Sequence, residues 1–172
     1  MKLFTYLYIF LFVVGVITLI IYYILDNKLK MEQETKVLDA LIPKVKNSLI
    51  EYLNIYYKYI KKNKKYLSDD FFNNITDKYN RIKEKELIAD VILEYRSLED
   101  ELEKFIIILE DSNKLKSESL SEIDEYKKDF EIVKKEYNEN VLIMNKYNNI
   151  FTSFFISKIY KFKDYPYFIS KY

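Results

Sequence analysis

The residue types that most often do chemistry in proteins are scarce in this chain. The sequence of 172 residues contains no His and no Cys, and Gly15 is its single glycine. Without His the chain lacks the commonest general base, metal ligand and pH switch. Without Cys it has no thiolate metal site, and one glycine cannot form a Gly-rich phosphate loop. We therefore identify no catalytic residue, cofactor, metal or small-molecule substrate, and we expect a non-enzymatic protein.

A cluster of carboxylates is the strongest remaining candidate for a metal site. It lies in one helical stretch and comprises Glu94, Glu99, Asp100, Glu101 and Glu103. Lys and Arg residues are interleaved with these carboxylates. Mixed charges along a helix are typical of a solvated face, which is the interpretation that we prefer.

A run of lysines is the most basic feature of the chain. It consists of Lys58, Lys61, Lys62, Lys64 and Lys65. Such a run contacts anionic lipid or an acidic partner in some proteins, but we interpret it as a solvated turn. Lys2 is the only charged residue before Asp26, so 27 basic and 27 acidic residues remain in the rest of the chain. A net charge of zero argues against a nucleic-acid partner.

The first 25 residues contain a candidate membrane anchor. Residues 3–25 are uncharged and would form a helix about 35 Å long, against a hydrocarbon core of about 30 Å. A cleaved signal peptide has a shorter apolar core and ends in small residues, so we prefer an uncleaved single-pass anchor in the plasma membrane. Lys28, Lys30 and Lys36 follow the segment, against Lys2 and the amino terminus before it, a difference of one positive charge. By the positive-inside rule this pattern favours a cytoplasmic body.

Residues 26–172 form the predicted body, in which apolar residues recur at helical spacing in three stretches. The first runs from Asn27 to Ile60, the second from Ser68 to Asp111, and the third from about Ser119 to beyond Met144. Ser68 is placed to cap the second helix, and Pro43 predicts a kink or a break in the first. We predict an all-α fold, in which an N-terminal transmembrane helix precedes an antiparallel up-and-down bundle. The bundle would comprise three long helices and a short fourth helix after Phe151.

Two asparagines and an aromatic tail suggest how the bundle is held in register. Asn138 and Asn145 are seven residues apart and share one helix face near the core. A polar group beside a core seam can fix register by hydrogen bonding, and we prefer that role to ligand binding. The tail Tyr160–Tyr172 mixes aromatic residues with lysines, and Pro166 argues against helix there. We interpret it as a plug at one end of the bundle rather than as a membrane-interface segment.

Several of these residues resemble the motifs of the LemA family. The resemblance rests on a first-helix motif, on two Asn positions of the third helix, and on an aromatic ending. The matching residues are Leu41, Ile42, Pro43, Tyr137, Asn138, Val141, Asn145, Phe151, Phe162, Pro166, Tyr167 and Phe168. The pattern differs at Ala40, Met144, Thr152 and Lys161. The resemblance implies a membrane-anchored four-helix bundle of bacterial origin with no established activity.

From these patterns we predict a membrane-tethered helical scaffold or adaptor. Its partners would be the lipid bilayer, through residues 3–25, and another protein or a second copy of the chain. The alternative is a sensor or receptor body whose helices shift against one another to relay a signal. A sensor needs a ligand pocket or a second route across the membrane, and the sequence offers neither clearly.

Overall fold

The computed structural model describes residues 2–111, 117–149, 158–159 and 162–169. This part of the chain is predominantly helical and contains no strand, which confirms the all-α prediction for the described residues. The helices are α1 (Lys2–Lys62), α2 (Asp69–Glu84), α3 (Ile88–Asp111) and α4 (Ser117–Asn149), and a single 3-10 turn spans Lys64–Tyr66. The short helix predicted after Phe151 lies mainly outside the described residues, of which 158 and 159 are helical.

The chain forms two compact units. The first contains residues 1–38 and 142–164, and the second contains residues 39–141 and 165–172. Two helices contribute to both units, because α1 and α4 each continue across a boundary.

The first unit begins with the apolar part of α1. Nearly every large apolar side chain from Phe4 to Leu25 is exposed, by 39–73 %. Among the described helices only α1 is long and apolar enough to cross a membrane, and none of its most apolar window is buried. A membrane anchor and a signal sequence share these properties.

The remainder of the first unit buries a small apolar core. Met31, Leu38 and Met144 are fully buried there. Asn27 is also buried, and its Nδ2 donates to the Tyr23 carbonyl oxygen at 2.8 Å, so its amide has a partner within the same helix. Apolar burial therefore begins on α1 shortly after its exposed segment ends.

The first helix is longer than the sequence patterns predict. The apolar segment and the amphipathic stretch from Asn27 to Ile60 form a single helix that ends at Lys62, within the predicted polar run. The helix also continues through Pro43, so the predicted break at that residue is absent. Pro43 is exposed, and its ring removes only one intrahelical hydrogen bond while Leu41 and Val45 stay buried on the core face.

The prediction of one long second helix is wrong. That segment contains two helices, because α2 ends at Glu84 and α3 begins at Ile88. The reason lies in the phase of the apolar stripe. Ile82 and Val91 are both fully buried but nine residues apart. At about 100° per residue, one continuous helix would place them on opposite faces. The predicted start is confirmed, since Ser68 Oγ accepts a hydrogen bond from the Phe71 amide at 3.2 Å.

Two ion pairs show the direction of α4 relative to α1 within the second unit. Lys44 Nζ lies 2.7 Å from Glu136 Oε2, and Lys58 Nζ lies 3.0 Å from Glu122 Oε1. A step of 14 residues forward on α1 matches a step of 14 residues backward on α4. The two helices are therefore antiparallel.

Side-chain contacts set α2 antiparallel to α1 in the same unit. Tyr57 Oη donates to Thr76 Oγ1 at 3.3 Å, and Tyr79 Oη donates to Asn54 Oδ1 at 2.5 Å. The rings of Tyr57 and Tyr79 also stack, with their centroids 4.3 Å apart. From the first of these contacts to the second, the residue number rises on α2 and falls on α1, so the two helices are antiparallel.

The turn at residues 85–87 reverses the chain, so that α3 returns beside α2. Lys78 Nζ lies 3.8 Å from Glu101 Oε1, and Arg81 lies 3.8 Å from Glu94. These pairs make α2 and α3 antiparallel, and successive helices of the second unit alternate in direction. The buried apolar residues of this unit include Leu41, Val45, Leu49, Leu53, Tyr56, Ile60, Ile75, Ile82, Val91, Tyr95, Leu98, Leu102, Phe105, Ile123, Phe130, Tyr137 and Val141.

Candidate functional site

Residues 165–169 of the C-terminal tail pack against the helices of the second unit, to which they belong. Tyr165 and Phe168 are buried there, and Phe168 is only 1 % exposed. Pro166 and Tyr167, which lie between them, are half-buried, and Ile169 is exposed. The tail is not helical at these residues, so its backbone groups need partners outside the tail or in water.

Asn138 on α4 supplies two of these partners to a single residue of the tail. Its Nδ2 donates to the Phe168 carbonyl oxygen at 2.8 Å, and its Oδ1 accepts from the Phe168 amide at 2.7 Å. A side-chain amide carries the same donor and acceptor pair as a backbone peptide group. Asn138 therefore binds the tail backbone as a neighbouring strand would.

Three further hydrogen bonds connect the tail to three helices. Tyr137 Oη on α4 donates to the Pro166 carbonyl oxygen at 2.9 Å, and Arg96 Nε on α3 donates to the Ile169 carbonyl oxygen at 2.9 Å. The third bond joins Tyr165 Oη to Asp39 Oδ1 on α1, also at 2.9 Å. We call the groups of Asp39, Arg96, Tyr137 and Asn138 the tail clamp.

The Phe168 side chain fills an aromatic socket below the tail clamp. Its ring centroid lies 5.4 Å from that of Phe130 and 5.6 Å from that of Tyr95. Phe130 also stacks on Tyr52, with 5.9 Å between the centroids. Edge-on and tilted contacts of this kind add to the stabilisation from apolar burial. The Phe168 ring therefore joins an aromatic cluster that reaches from α3 and α4 to Tyr52 on α1.

Burial controls the ionisation of the tyrosines around this socket. It raises the pKa of Tyr137 to about 12, and it raises the pKa of Tyr52 and Tyr95 well above the usual range. A phenol is neutral at physiological pH even at its ordinary pKa, and the raised pKa keeps Tyr137 protonated as the donor to Pro166 over a wider pH range.

The local sequence explains why these groups lie at one end of the second unit. Tyr137 belongs to the buried stripe of α4, so Asn138 is carried to the edge of that stripe. Asp39 lies where α1 enters the unit, and Arg96 lies about two turns after the start of α3. Because α1 and α3 run opposite to α4, these three positions meet at the same end. The interpretation of the tail as a plug stays a prediction, because α1 and α4 both continue past this end of the second unit.

The structure brings four of the motif residues into direct contact. Tyr137, Asn138, Pro166 and Phe168 form direct contacts. Among the other motif residues, Leu41 and Val141 are buried, Ile42, Asn145, Phe162 and Tyr167 are half-buried, and Pro43 is exposed. Asn145 and Phe162 belong to the first unit, and Phe151 lies outside the described residues.

Sequence reasoning missed Asp39 and Arg96. Neither residue stands out, because each is one charged residue among many on an amphipathic helix. Their role depends on where the tail returns, and helical periodicity contains no information about that.

The carboxylate cluster is less exposed than the solvated-face interpretation predicts. Of its five residues, Glu103 is exposed, and Glu94, Glu99, Asp100 and Glu101 are half-buried. Glu94 and Glu101 pair with Arg81 and Lys78 of α2, so they face a neighbouring helix. Within the described part of the chain, no group of three or more carboxylates is arranged to hold a metal ion.

The lysine run lies around the turn after α1. Lys58 pairs with Glu122, which also accepts a hydrogen bond from Tyr59. The hydrogen bond from Tyr59 and then the one from Lys58 lower the pKa of the Glu122 carboxyl. Lys61 lies over the Tyr57 ring, 4.5 Å from its centroid.

A groove of about 350 Å³ opens between α1, α3 and α4 of the second unit. Its lining includes the apolar residues Ile106 and Ile123, and Glu103 and Asp124 add carboxylates. The Tyr56 ring also borders the groove, and burial, followed by the charges of Asp124 and Glu103, raises the pKa of its hydroxyl to about 12. None of the motif residues that the structure describes lines this groove.

No family model, curated protein or solved structure matches the chain. The resemblance to the LemA family therefore stays a prediction.

Proposed function

We propose that the protein is a membrane-tethered, non-enzymatic helical scaffold or adaptor that presents its second unit to partner proteins. The observation that carries the proposal is the exposure of the apolar part of α1. A row of large apolar side chains this long is rarely left in water, since monomeric soluble proteins avoid large contiguous apolar patches. A bilayer is the environment that fits a single uncharged helical segment of the length of residues 3–25.

Within this proposal the second unit is an up-and-down bundle of four helices, of which α2 is the short one. The alternating directions of its helices support that arrangement. The resemblance to the LemA family is compatible with the same architecture. We place the anchor in the plasma membrane, and the lysines that follow it favour a cytoplasmic body.

Removal of residues 1–25 is the direct test of the tether. We expect the full-length chain in the membrane pellet after detergent-free fractionation, and the truncated chain in the supernatant, because the deletion removes the exposed apolar segment. The measurement is the ratio of pellet to supernatant by immunoblot, together with the intact mass of the membrane-bound protein.

Thr18→Ala is the matched control, because Thr18 Oγ1 bonds only to the Val14 carbonyl oxygen of the same helix. This variant should stay in the pellet. The tether is refuted if the truncated chain remains with the membrane, or if the mass shows that the segment has been cleaved as a signal peptide.

The sensor alternative is favoured by one observation, the groove beside Tyr56. A relay needs a ligand pocket, and this groove is large enough for a small molecule, for which pockets start at about 300 Å³. A ligand held there would contact α1, α3 and α4 together and so bias their packing. A thermal-shift screen of small amphipathic cations would support this reading if Glu103→Gln abolished the stabilisation.

A further inference from the structure

The tail clamp and its aromatic socket have the features of a peptide-binding site. Four of the five hydrogen bonds involve backbone groups of the tail, namely those of Pro166, Phe168 and Ile169. Any extended peptide offers the same backbone groups. The fifth bond is made by the Tyr165 side chain, and the socket buries the Phe168 ring. These two contacts recognise side chains. Peptide-recognition domains divide the work in this way, with backbone bonds for affinity and pockets for specificity.

We propose that the tail clamp is a receptor for an extended segment of the form Tyr-Pro-X-Phe, and that the protein's own tail is its resident, displaceable ligand. The partner is a protein segment that places a hydroxyl-bearing aromatic three residues before a Phe. This inference deepens the proposed scaffold function, because it names the class of partner. It needs no membrane, so it can fail while the tether holds, and the reverse is also possible.

The geometry favours displacement over a permanent core element. Every receptor group lies on a helix, and Tyr137 is packed in the core, so most of the site stays formed when the tail leaves. The described tail buries only two of its side chains, Tyr165 and Phe168. A short segment with two buried side chains binds weakly when it is a separate molecule. Its covalent connection to the same chain raises its effective concentration to about the millimolar range. The resident tail therefore blocks weak partners and yields to strong or abundant ones.

The charges of the tail clamp fix the direction of the bound segment. Asp39 accepts a hydrogen bond from the first aromatic residue, and Arg96 donates to the carbonyl oxygen at the other end. A segment bound in the reverse direction would present a backbone carbonyl to the carboxylate of Asp39. Specificity then comes from repulsion as well as from fit.

The test uses the full-length chain in lipid nanodiscs and a fluorescent peptide of residues 163–170. Phe168→Ala empties the socket without shortening the chain. We expect this variant to bind the peptide saturably with a Kd of about 100 µM or below, and the wild type to bind at least about tenfold more weakly, because its own tail competes. A peptide that carries the same Phe168→Ala change should not bind.

Two second-site variants distinguish binding by the tail clamp from non-specific peptide binding. Asn138→Asp in the Phe168→Ala chain keeps the acceptor but removes the donor, so peptide affinity should fall at least about tenfold. Asn140→Asp in the Phe168→Ala chain is the matched control, because Asn140 Nδ2 bonds to the Glu136 carbonyl oxygen of its own helix. Equal affinities of these two double variants would overturn the proposal, as would the absence of binding by a folded Phe168→Ala chain.

A measurement on the wild type covers the case in which Phe168→Ala does not fold. The Phe168 amide donates to Asn138, so its hydrogen exchange reports occupancy of the clamp by the tail. We expect about 2 mM peptide to speed exchange at this amide at least about fivefold, because the peptide displaces the tail. Unchanged exchange would refute a displaceable tail. A dimer that forms with rising concentration and is abolished by Asn138→Asp would identify a second copy as the source of the segment.

Discussion

Phe130→Ala is expected to lower the free energy of unfolding by about 3–5 kcal/mol, the usual cost of removing a buried Phe side chain. Phe130 is fully buried, and its ring contacts those of Tyr52, Tyr95 and Phe168. The substitution leaves a cavity between α1, α3, α4 and the tail. For a chain of this size the melting temperature should fall by about 6–20 °C, as measured by circular dichroism of the chain in nanodiscs.

Ile132→Ala on the same helix is the control for this prediction. Ile132 is 58 % exposed, so its truncation removes little buried area. We expect a change within about 0.5 kcal/mol, as for most surface substitutions. If Phe130→Ala and Ile132→Ala melted alike, the packing of α4 described above would be wrong.

Asn138→Leu is expected to cost about 2–4 kcal/mol, although it keeps the size of the side chain nearly unchanged. It removes two hydrogen bonds and leaves the amide and carbonyl of Phe168 without their partner. A polar group left unsatisfied in a buried setting costs about 1–3 kcal/mol, more than the net value of the bond it lost. Denaturant unfolding would measure this loss, and amide exchange at Phe168 should accelerate in parallel.

Asn140→Leu makes the same chemical change two residues away. Because Asn140 bonds only within its own helix, this substitution should leave both stability and the Phe168 amide unchanged. A comparable loss in the two variants would mean that Asn138 acts through helix propensity and not through the tail.

Much of the fold can be predicted from periodicity, because burial follows the apolar stripe closely. The stripe positions of α1, such as Val45, Leu49 and Ile60, are fully buried as expected. The cap at Ser68 also follows from its residue type. Local signals of this kind depend only on neighbours along the chain.

The break between α2 and α3 could be predicted only in part. Residues 85–87 contain neither Gly nor Pro, so the usual signals of a helix end are missing there. The phase shift between Ile82 and Val91 was present in the sequence, but it becomes decisive only when both residues must face one core. Lys46 on α1 then stabilises the end of α2, since its Nζ donates to the Lys85 carbonyl oxygen at 2.5 Å.

The candidate site could also be predicted from the sequence only in part. Asn138 and the aromatic tail attract attention as residue types, because a polar group lies beside the core stripe and aromatic residues cluster around Pro166. Their pairing joins residues 30 positions apart. The partners Asp39 and Arg96 lie 126 and 73 positions from their tail contacts, and no spacing rule connects them.

Cysteine accessibility in native membranes tests the membrane tether most directly, and the natural chain contains no cysteine to interfere. Phe12→Cys and Leu93→Cys replace apolar residues that are 73 % and 62 % exposed in the protein. In opened membranes we predict that a membrane-impermeant maleimide labels Leu93→Cys and spares Phe12→Cys until the bilayer is dissolved in denaturing detergent. Equal labelling of the two variants before detergent would contradict the tether.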